Sequence, residues 1–210
     1  MSVQSNKARP SVWNEKYSQP GYVYGTEPCQ WLCMNQHRLP TEGRALAIAD
    51  GEGRNGVFLA QQGLQVTSVD LSEVGLAKAQ ALASTRGVQL QTVIADLRDY
   101  EIAPGSLAVA IAIYAHLPSD LRPLVHRRIA EGLNPGGLFV LEAFHPNQLK
   151  YTSGGPRSVD LLYRVDEVLA DFSDCHIVEA LEGQTALTEG HGHLGLGYVT
   201  RLIIQKGALA

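Results

Sequence analysis

The chain has 210 residues, of which 45% are apolar and 18% charged, with a formal net charge of −4. That length suits one domain with a core of ordinary size, and the composition excludes an intrinsically disordered chain. The mildly negative balance offers no electrostatic footprint for nucleic acid or for an anionic membrane, which leaves a small molecule as the expected partner.

The first residues, Met1-Ser2-Val3-Gln4, do not open an apolar signal core, and no apolar run approaches the ~18–20 residues of a membrane helix. Cys29, Cys33 and Cys175 form no Cys-x-x-Cys pair, as expected of free thiols in a reducing compartment. A cytoplasmic protein is the expectation, as a monomer or a homodimer.

Residues 1–9 are polar and expected to fray. A short helix is predicted over 11–17, broken by Pro20-Gly21, and an ordered aromatic loop over Tyr22-Val23-Tyr24-Gly25-Thr26-Glu27-Pro28. A second short helix is predicted over 29–36. From Ala45 onward, short apolar runs alternate with helical periodicity. Strands are expected at 45–49, 65–69, 89–94, 107–113 and 138–143. Helices are expected at 54–62, 72–86 (with Leu76, Ala79, Leu82 and Ala83 on one face), 119 onward and 164–172. Ser119 is the predicted cap of the third of these helical runs, and Pro135-Gly136-Gly137 its stop. Two last strands, 176–181 and 198–205, read as a hairpin-like pair.

This alternation predicts an α/β fold: a doubly wound, mostly parallel seven-stranded sheet with a short helical N-terminal cap. The domain reading is one unit, 1–210. Residues 1–43 form the cap and aromatic loop, 44–143 the cofactor-binding core, and 144–210 the substrate-side loop and final strands. Ligands of such sheets bind beyond the carboxyl ends of the strands, so residues just after each strand are the candidates.

After the first strand comes Asp50-Gly51-Glu52-Gly53-Arg54-Asn55-Gly56, and Asp70 ends the second strand nineteen residues beyond Gly51. The spacing fits a Gly-x-Gly-x-x-Gly turn with an acid for ribose hydroxyls, which an NAD-dependent oxidoreductase and an S-adenosylmethionine enzyme would share. Charge separates them. A pyrophosphate on this turn would meet Asp50 and Glu52, whereas a sulfonium and an ammonium would be welcomed there, with Arg54 available to a carboxylate. Ala49 is expected to keep an ordinary backbone conformation, since its Cβ disfavours positive φ. Asp96-Leu97 follows the third strand and suits an adenine amine.

The residues Gly51-Glu52-Gly53-Arg54-Asn55, Val69-Asp70-Leu71-Ser72, Asp96-Leu97 and Leu133-Asn134-Pro135-Gly136-Gly137 resemble a class I S-adenosylmethionine-dependent methyltransferase, over about 44–143. Within that class the chain is similar to the tellurite-resistance and thiopurine-methyltransferase-like group, and the Tyr22–Pro28 segment resembles the lead-in of its bacterial members. The resemblance implies S-adenosylmethionine as cofactor, with Asp70 on the ribose, Asp96 and Leu97 on the adenine, and the Asp50–Gly53 turn on the methionine part. Ala47 and Ala49 depart from the family's usual acid and glycine. By the same resemblance the acceptor is a small soft nucleophile, such as a thiol, tellurite or selenite. The alternatives are a small hydroxylated or amine metabolite, an NAD-dependent oxidoreductase, or a non-catalytic S-adenosylmethionine-binding module.

His116, after the fourth strand, is the first candidate for a base or a substrate-orienting group, against a helix-capping or loop histidine. Tyr114 either lines the cofactor or packs. Tyr151 and Arg157 lie in a Gly-rich loop that either closes on a substrate or is ordinary surface. Glu142, ending a buried strand, needs a partner, structural or in the substrate. His191-Gly192-His193 reads as a hairpin turn near the site's mouth and no metal site is expected. Cys29 and Cys33 are expected to pack. Trp13, Tyr17, Tyr22 and Tyr24 form either an aromatic lid or the core of the cap.

Overall fold

The computed structural model describes residues 10–207, so the expected fraying of 1–9 lies outside the described residues. Strands β1 (Arg44–Ile48), β2 (Gln65–Asp70), β3 (Gln91–Ile94), β4 (Leu107–Ile113), β5 (Leu133–Phe144), β6 (Cys175–Glu189) and β7 (His193–Lys206) form one sheet in the order β3-β2-β1-β4-β5-β7-β6. The first five run parallel, while β7 is antiparallel to both β5 and β6.

The alternation along each buried strand explains the layers. Leu46, Ile48, Ala110, Ala112, Phe139 and Leu141 face one core, completed by α5 (Arg122–Gly132) and α6 (Val165–Asp171) through Val125, Ile129, Val168 and Phe172. Ala45, Ala47, Val109, Ile111, Leu138 and Val140 face the other, closed by α2 (Gln30–Met34) and α3 (Arg54–Gln61) through Trp31, Leu32, Phe58 and Leu59. A sheet covered on both faces needs runs that are apolar throughout, as β4 and the later part of β5 are. Helix α4 (Glu73–Thr85) lies beside α3, and α1 (Pro10–Tyr17) packs against α4.

Three local readings need correction. Ser119 does not cap α5: its backbone N–H and hydroxyl both donate to Asp160, and Leu121 occupies the cap position with no side-chain cap. Pro135-Gly136-Gly137 does not stop that helix; the helix ends at Gly132 and the chain enters β5 at Leu133. Gly132 is needed there because a Cβ would come within 2.3 Å of the Ile102 side chain. The final strands are also much longer than 176–181 and 198–205, since their outer halves lack the apolar alternation that periodicity detects.

At the carboxyl end of the sheet, β1 breaks into the glycine turn. Gly53 caps α3 in the left-handed region at φ 84°, where a Cβ would also strike Ala79 at 2.3 Å. Gly56 lets the Asp50 carboxylate approach the helix, since a Cβ would lie 2.3 Å from Asp50 Oδ2. No helix among the described residues is long and apolar enough to cross a membrane.

Candidate active site

The turns after β1, β2, β3 and β4, together with α1 and the β6–β7 hairpin, enclose a cavity of about 450 Å3. That is within the usual range for a small-molecule site. Its wall holds the carboxylates Asp50, Glu52, Asp70 and Asp96 and the guanidinium groups Arg54 and Arg98.

Asp70 closes β2. Its Oδ2 accepts from Gly51 N at 2.9 Å and its Oδ1 from Ser72 N at 2.8 Å, which fixes the carboxylate at the mouth of both turns. Burial raises its pKa, and these backbone bonds oppose the rise. Leu71 N–H adds a third backbone bond, and a carboxylate has about four lone-pair directions, so the free acceptor capacity left for a ligand is small. Asp50 accepts from Gly56 N at 3.2 Å and from the Ser68 hydroxyl, and burial lifts its pKa to about 6. Asp96 accepts from Arg98 N at 2.9 Å beside Leu97 in the wall.

Glu52 does not behave as the free anion the sequence suggested. Its Oε2 accepts from Val23 N at 2.7 Å and its Oε1 pairs with Lys78 Nζ at 2.9 Å, so it ties the N-terminal loop to α4. Arg54 is equally committed: it donates to Glu27 O at 3.2 Å and to Glu189 Oε2 at 2.9 Å, and is not free for a ligand carboxylate. Asn55 accepts from Cys29 N at 2.8 Å, again anchoring the cap. Gly51, Gly53 and Ser72 do not line the cavity; the glycines shape the turn, and Ser72 caps α4 by accepting from Gly75 N at 3.0 Å.

Among the described residues, two non-glycine residues stand in the left-handed region, Ala49 at φ 49° and Tyr114 at φ 54°, and both line the cavity. The expectation of an ordinary conformation at Ala49 is therefore wrong. The chain must reverse there to bring Asp50 onto Ser68, at a cost of roughly 1–2 kcal/mol. Tyr114 is held in its strained state by its N–H on Glu142 O at 2.6 Å and its hydroxyl on Glu142 Oε1 at 2.8 Å. Burial and the Glu142 charge keep that phenol well above its usual pKa. Strain of this kind persists where surrounding contacts over-determine it, as at binding sites.

Glu142 is a structural hub. Besides Tyr114 it takes the Cys29 thiol at 2.9 Å and Arg201 at 3.1 Å, which satisfies a buried acid from three sides. Burial and the Glu142 charge push the Cys29 thiol up, so it stays protonated.

His116 lines the cavity with Nδ1 buried and unpartnered. Burial lowers its pKa to about 3, helped by His193 and Lys16 and opposed by a hydrogen bond to the Leu161 backbone. It is therefore a neutral imidazole whose buried Nδ1 has no hydrogen-bond partner among the described residues. Tyr151 does not line the cavity; its hydroxyl accepts from Gln184 at 2.6 Å, and Arg157 is spent on the carbonyls of Leu149 and Tyr151. The aromatic segment is divided: Trp13, Tyr17 and Tyr24 enter the wall, whereas Tyr22 donates to Lys78 O at 3.1 Å outside it.

His193, expected in a hairpin turn near the site's mouth, enters the wall itself. The turn between β6 and β7 places it in the wall, 4.3 Å from the Tyr114 ring and 4.4 Å from the Tyr24 ring, with Nδ1 3.1 Å from Glu189 Oε2. The hairpin reading holds, and what the sequence left open is the pairing with Glu189 and the aromatic neighbours, which only the strand register brings together. Among the described residues no cluster of three or more His, Cys, Asp or Glu could hold a metal ion.

The cavity suits a cationic adenosyl amino acid on its own chemistry. Asp50 lies at the glycine turn, where a dinucleotide would lay its phosphates, and Asp70 and Asp96 line the cavity after the next two strands. Known proteins agree. The family described as "Methyltransferase domain" matches residues 45–137. Thiopurine S-methyltransferase of Legionella pneumophila (strain Paris) is 25% identical over 203 residues, covering 87% of this chain and 89% of its own length. TehB from Haemophilus influenzae shares the fold with a TM-score of 0.68 at 17% identity, over 94% of this chain and 66% of that one. A structure reported as "Conversion of a Disulfide Bond into a Thioacetal Group during Echinomycin Biosynthesis" does so with a TM-score of 0.74 at 16% identity, over 96% and 93%.

Proposed function

We propose, from the premise that this chain is a class I S-adenosylmethionine-dependent methyltransferase, that its acceptor is a small soft nucleophile: a thiol, or a tellurium or selenium oxyanion. The reading takes residues 1–210 as one catalytic unit, working in the cytoplasm, where its cysteines stay reduced.

S-adenosylmethionine supplies an electrophilic methyl group on a positively charged sulfur. Asp70 would hold the ribose hydroxyls with the acceptor capacity its backbone bonds leave free, Asp96 and Leu97 the adenine, and Asp50 the methionine ammonium. The protein's own contribution is alignment of the acceptor and exclusion of water. Trp13, Tyr17 and Tyr24 add an aromatic wall; the Lys16 ammonium already sits 4.9 Å from the Trp13 and Tyr24 rings, which leaves Tyr17 as the ring for cation–π attraction to a sulfonium.

One observation carries the choice of acceptor. Among the described residues, the titratable side chains acting on Tyr114 or stacked beside it include imidazoles held neutral, His116 and His193, carboxylates already paired, Glu142 and Glu189, and the Cys29 thiol, kept protonated by burial. No strong base is left for an alcohol. A thiol, with an ordinary pKa near ~8.5, needs only a weak one, and a chalcogen oxyanion needs none. The name of the Legionella relative, a thiopurine S-methyltransferase, supports sulfur as the nucleophile.

The test is a panel of thiols, tellurite, selenite, phenols and amines with methyl-labelled cofactor. Label is expected on sulfur, selenium or tellurium; label confined to phenols or amines would overturn the reading. His116→Ala should lower turnover about tenfold, the equivalent of ~1–1.5 kcal/mol for one lost hydrogen bond to the acceptor. Cofactor affinity should stay near wild type, and unchanged turnover would remove His116 from the acceptor site.

A further inference from the structure

His193 lines the cavity and pairs with Glu189, which does not, and the proposed function gives this pair no role in the reaction. Glu189 ends β6 and His193 begins β7, so one tight turn sets both. That turn is pinned to the N-terminal loop by Gly192 N donating to Val23 O at 3.0 Å. Glu189 Oε2 receives Arg54 Nη2 at 2.9 Å and faces His193 Nδ1 at 3.1 Å. Both side chains are under a tenth exposed. The imidazole is held between Tyr24, Tyr114 and Phe144, at ring separations of 4.4, 4.3 and 5.1 Å, and Nε2 carries no hydrogen bond among the described residues.

We propose that His193 Nε2 takes the proton of a protonated sulfur acceptor, with Glu189 setting its tautomer and Arg54 holding Glu189 in place. This rests on the sulfur-acceptor reading. The thiol's S–H bond breaks and its proton passes to Nε2, while a sulfur electron pair forms the new bond to the methyl carbon. The electron pair of the broken carbon–sulfur bond stays on the departing sulfur, so one positive charge disappears from the donor and one appears on the imidazole.

Counter-charge is what separates His193 from His116. A proton on His193 faces a carboxylate across one hydrogen bond, the arrangement by which an acid orients and supports a catalytic imidazole. A proton on His116 would face His193 and Lys16 with no carboxylate opposite. The charged and titratable groups around His193 are Glu189 on its hairpin, Arg54 on α3, Lys16 on α1, Tyr24 in the aromatic loop, and Tyr114 and His116 after β4. At rest, burial keeps the ring neutral, against the pull of Glu189.

Thiols of stepped acidity separate this role from a packing role. His193→Ala should cost about 10²-fold in kcat/KM on weakly acidic thiols, the low end for proton transfer. The loss should shrink toward nothing on thiols already ionised, or as pH rises past the thiol's own pKa. An equal loss on every thiol at every pH would overturn the proposal. Nitrogen NMR of the imidazole supplies a readout without turnover: Nδ1 should carry the proton and Nε2 be bare. Glu189→Gln should lower the His193 titration by a unit or more. A proton on Nε2, or a titration unmoved by Glu189→Gln, would equally overturn it. Wild-type enzyme inert toward every thiol, with the pairing intact, would instead sink the acceptor reading.

Discussion

Asp70→Ala should weaken S-adenosylhomocysteine binding roughly ten- to hundredfold, about 1.5–3 kcal/mol for lost hydrogen bonds to a charged group. The carboxylate does two jobs at once. It accepts the amides of Gly51 and Ser72, which sets the spacing of the turns after β1 and β2, and its remaining acceptor capacity looks into the cavity. Removal therefore takes away the ribose contacts and leaves two buried N–H groups without an acceptor, so thermal stability should fall as well. Trp13 lines the same cavity, which makes quenching of its fluorescence a direct reporter of the ligand. Asp70→Asn should retain more of the stability than of the affinity. Affinity unchanged in both variants would mean that Asp70 only builds the turns.

Arg54→Met should lower stability by about 3–5 kcal/mol, the usual result when one partner of a buried ion pair is removed. For a chain of this size that is roughly 10 °C in Tm. Arg54 and Glu189 are 7% and 9% exposed at 2.9 Å, so the orphaned carboxylate stays in a poorly solvated place with only His193 to face. A double variant, Arg54→Met with Glu189→Leu, removes both charges and should recover much of the loss. The pH dependence has a definite sign. Burial works against the charged form of Glu189, yet the His193 hydrogen bond and Arg54 bring its pKa down to about 2 from an ordinary 4.5. A depressed folded pKa adds stability above the unfolded value, and that contribution fades as pH falls from about 4.5 toward 2. Wild type should show this acid limb in chemical unfolding, and Arg54→Met should show it much reduced. A variant with wild-type Tm and an unaltered acid limb would show the pair to be energetically idle.

The parallel half of the sheet was legible because its strands are apolar throughout and its crossovers carry helical periodicity. Gly51, Gly53, Asp70 and Asp96 then fell where strands end, and the carboxylates did enter the cavity wall. What resisted was anything decided by a partner far away in sequence. Glu52 and Arg54 looked free beside the turn; their partners are Lys78 and Glu189, 26 and 135 residues distant. Ala49 turned left-handed because Asp50 must reach Ser68 and Gly56, a demand no local rule contains. His193 entered the site through a hairpin whose polar outer half hides its strands from periodicity. Tyr151 fails for the converse reason: its glycine-rich loop suggested closure, yet its hydroxyl is taken by Gln184.

The charge of the cavity is the point on which the account stands, and one calorimetric comparison reaches it directly. S-adenosylhomocysteine and NADH are titrated into the same wild-type preparation at low salt, where electrostatic preference is least screened. S-adenosylhomocysteine should bind stoichiometrically, and NADH should give no measurable heat. Saturable binding of NADH, with S-adenosylhomocysteine silent, would contradict it.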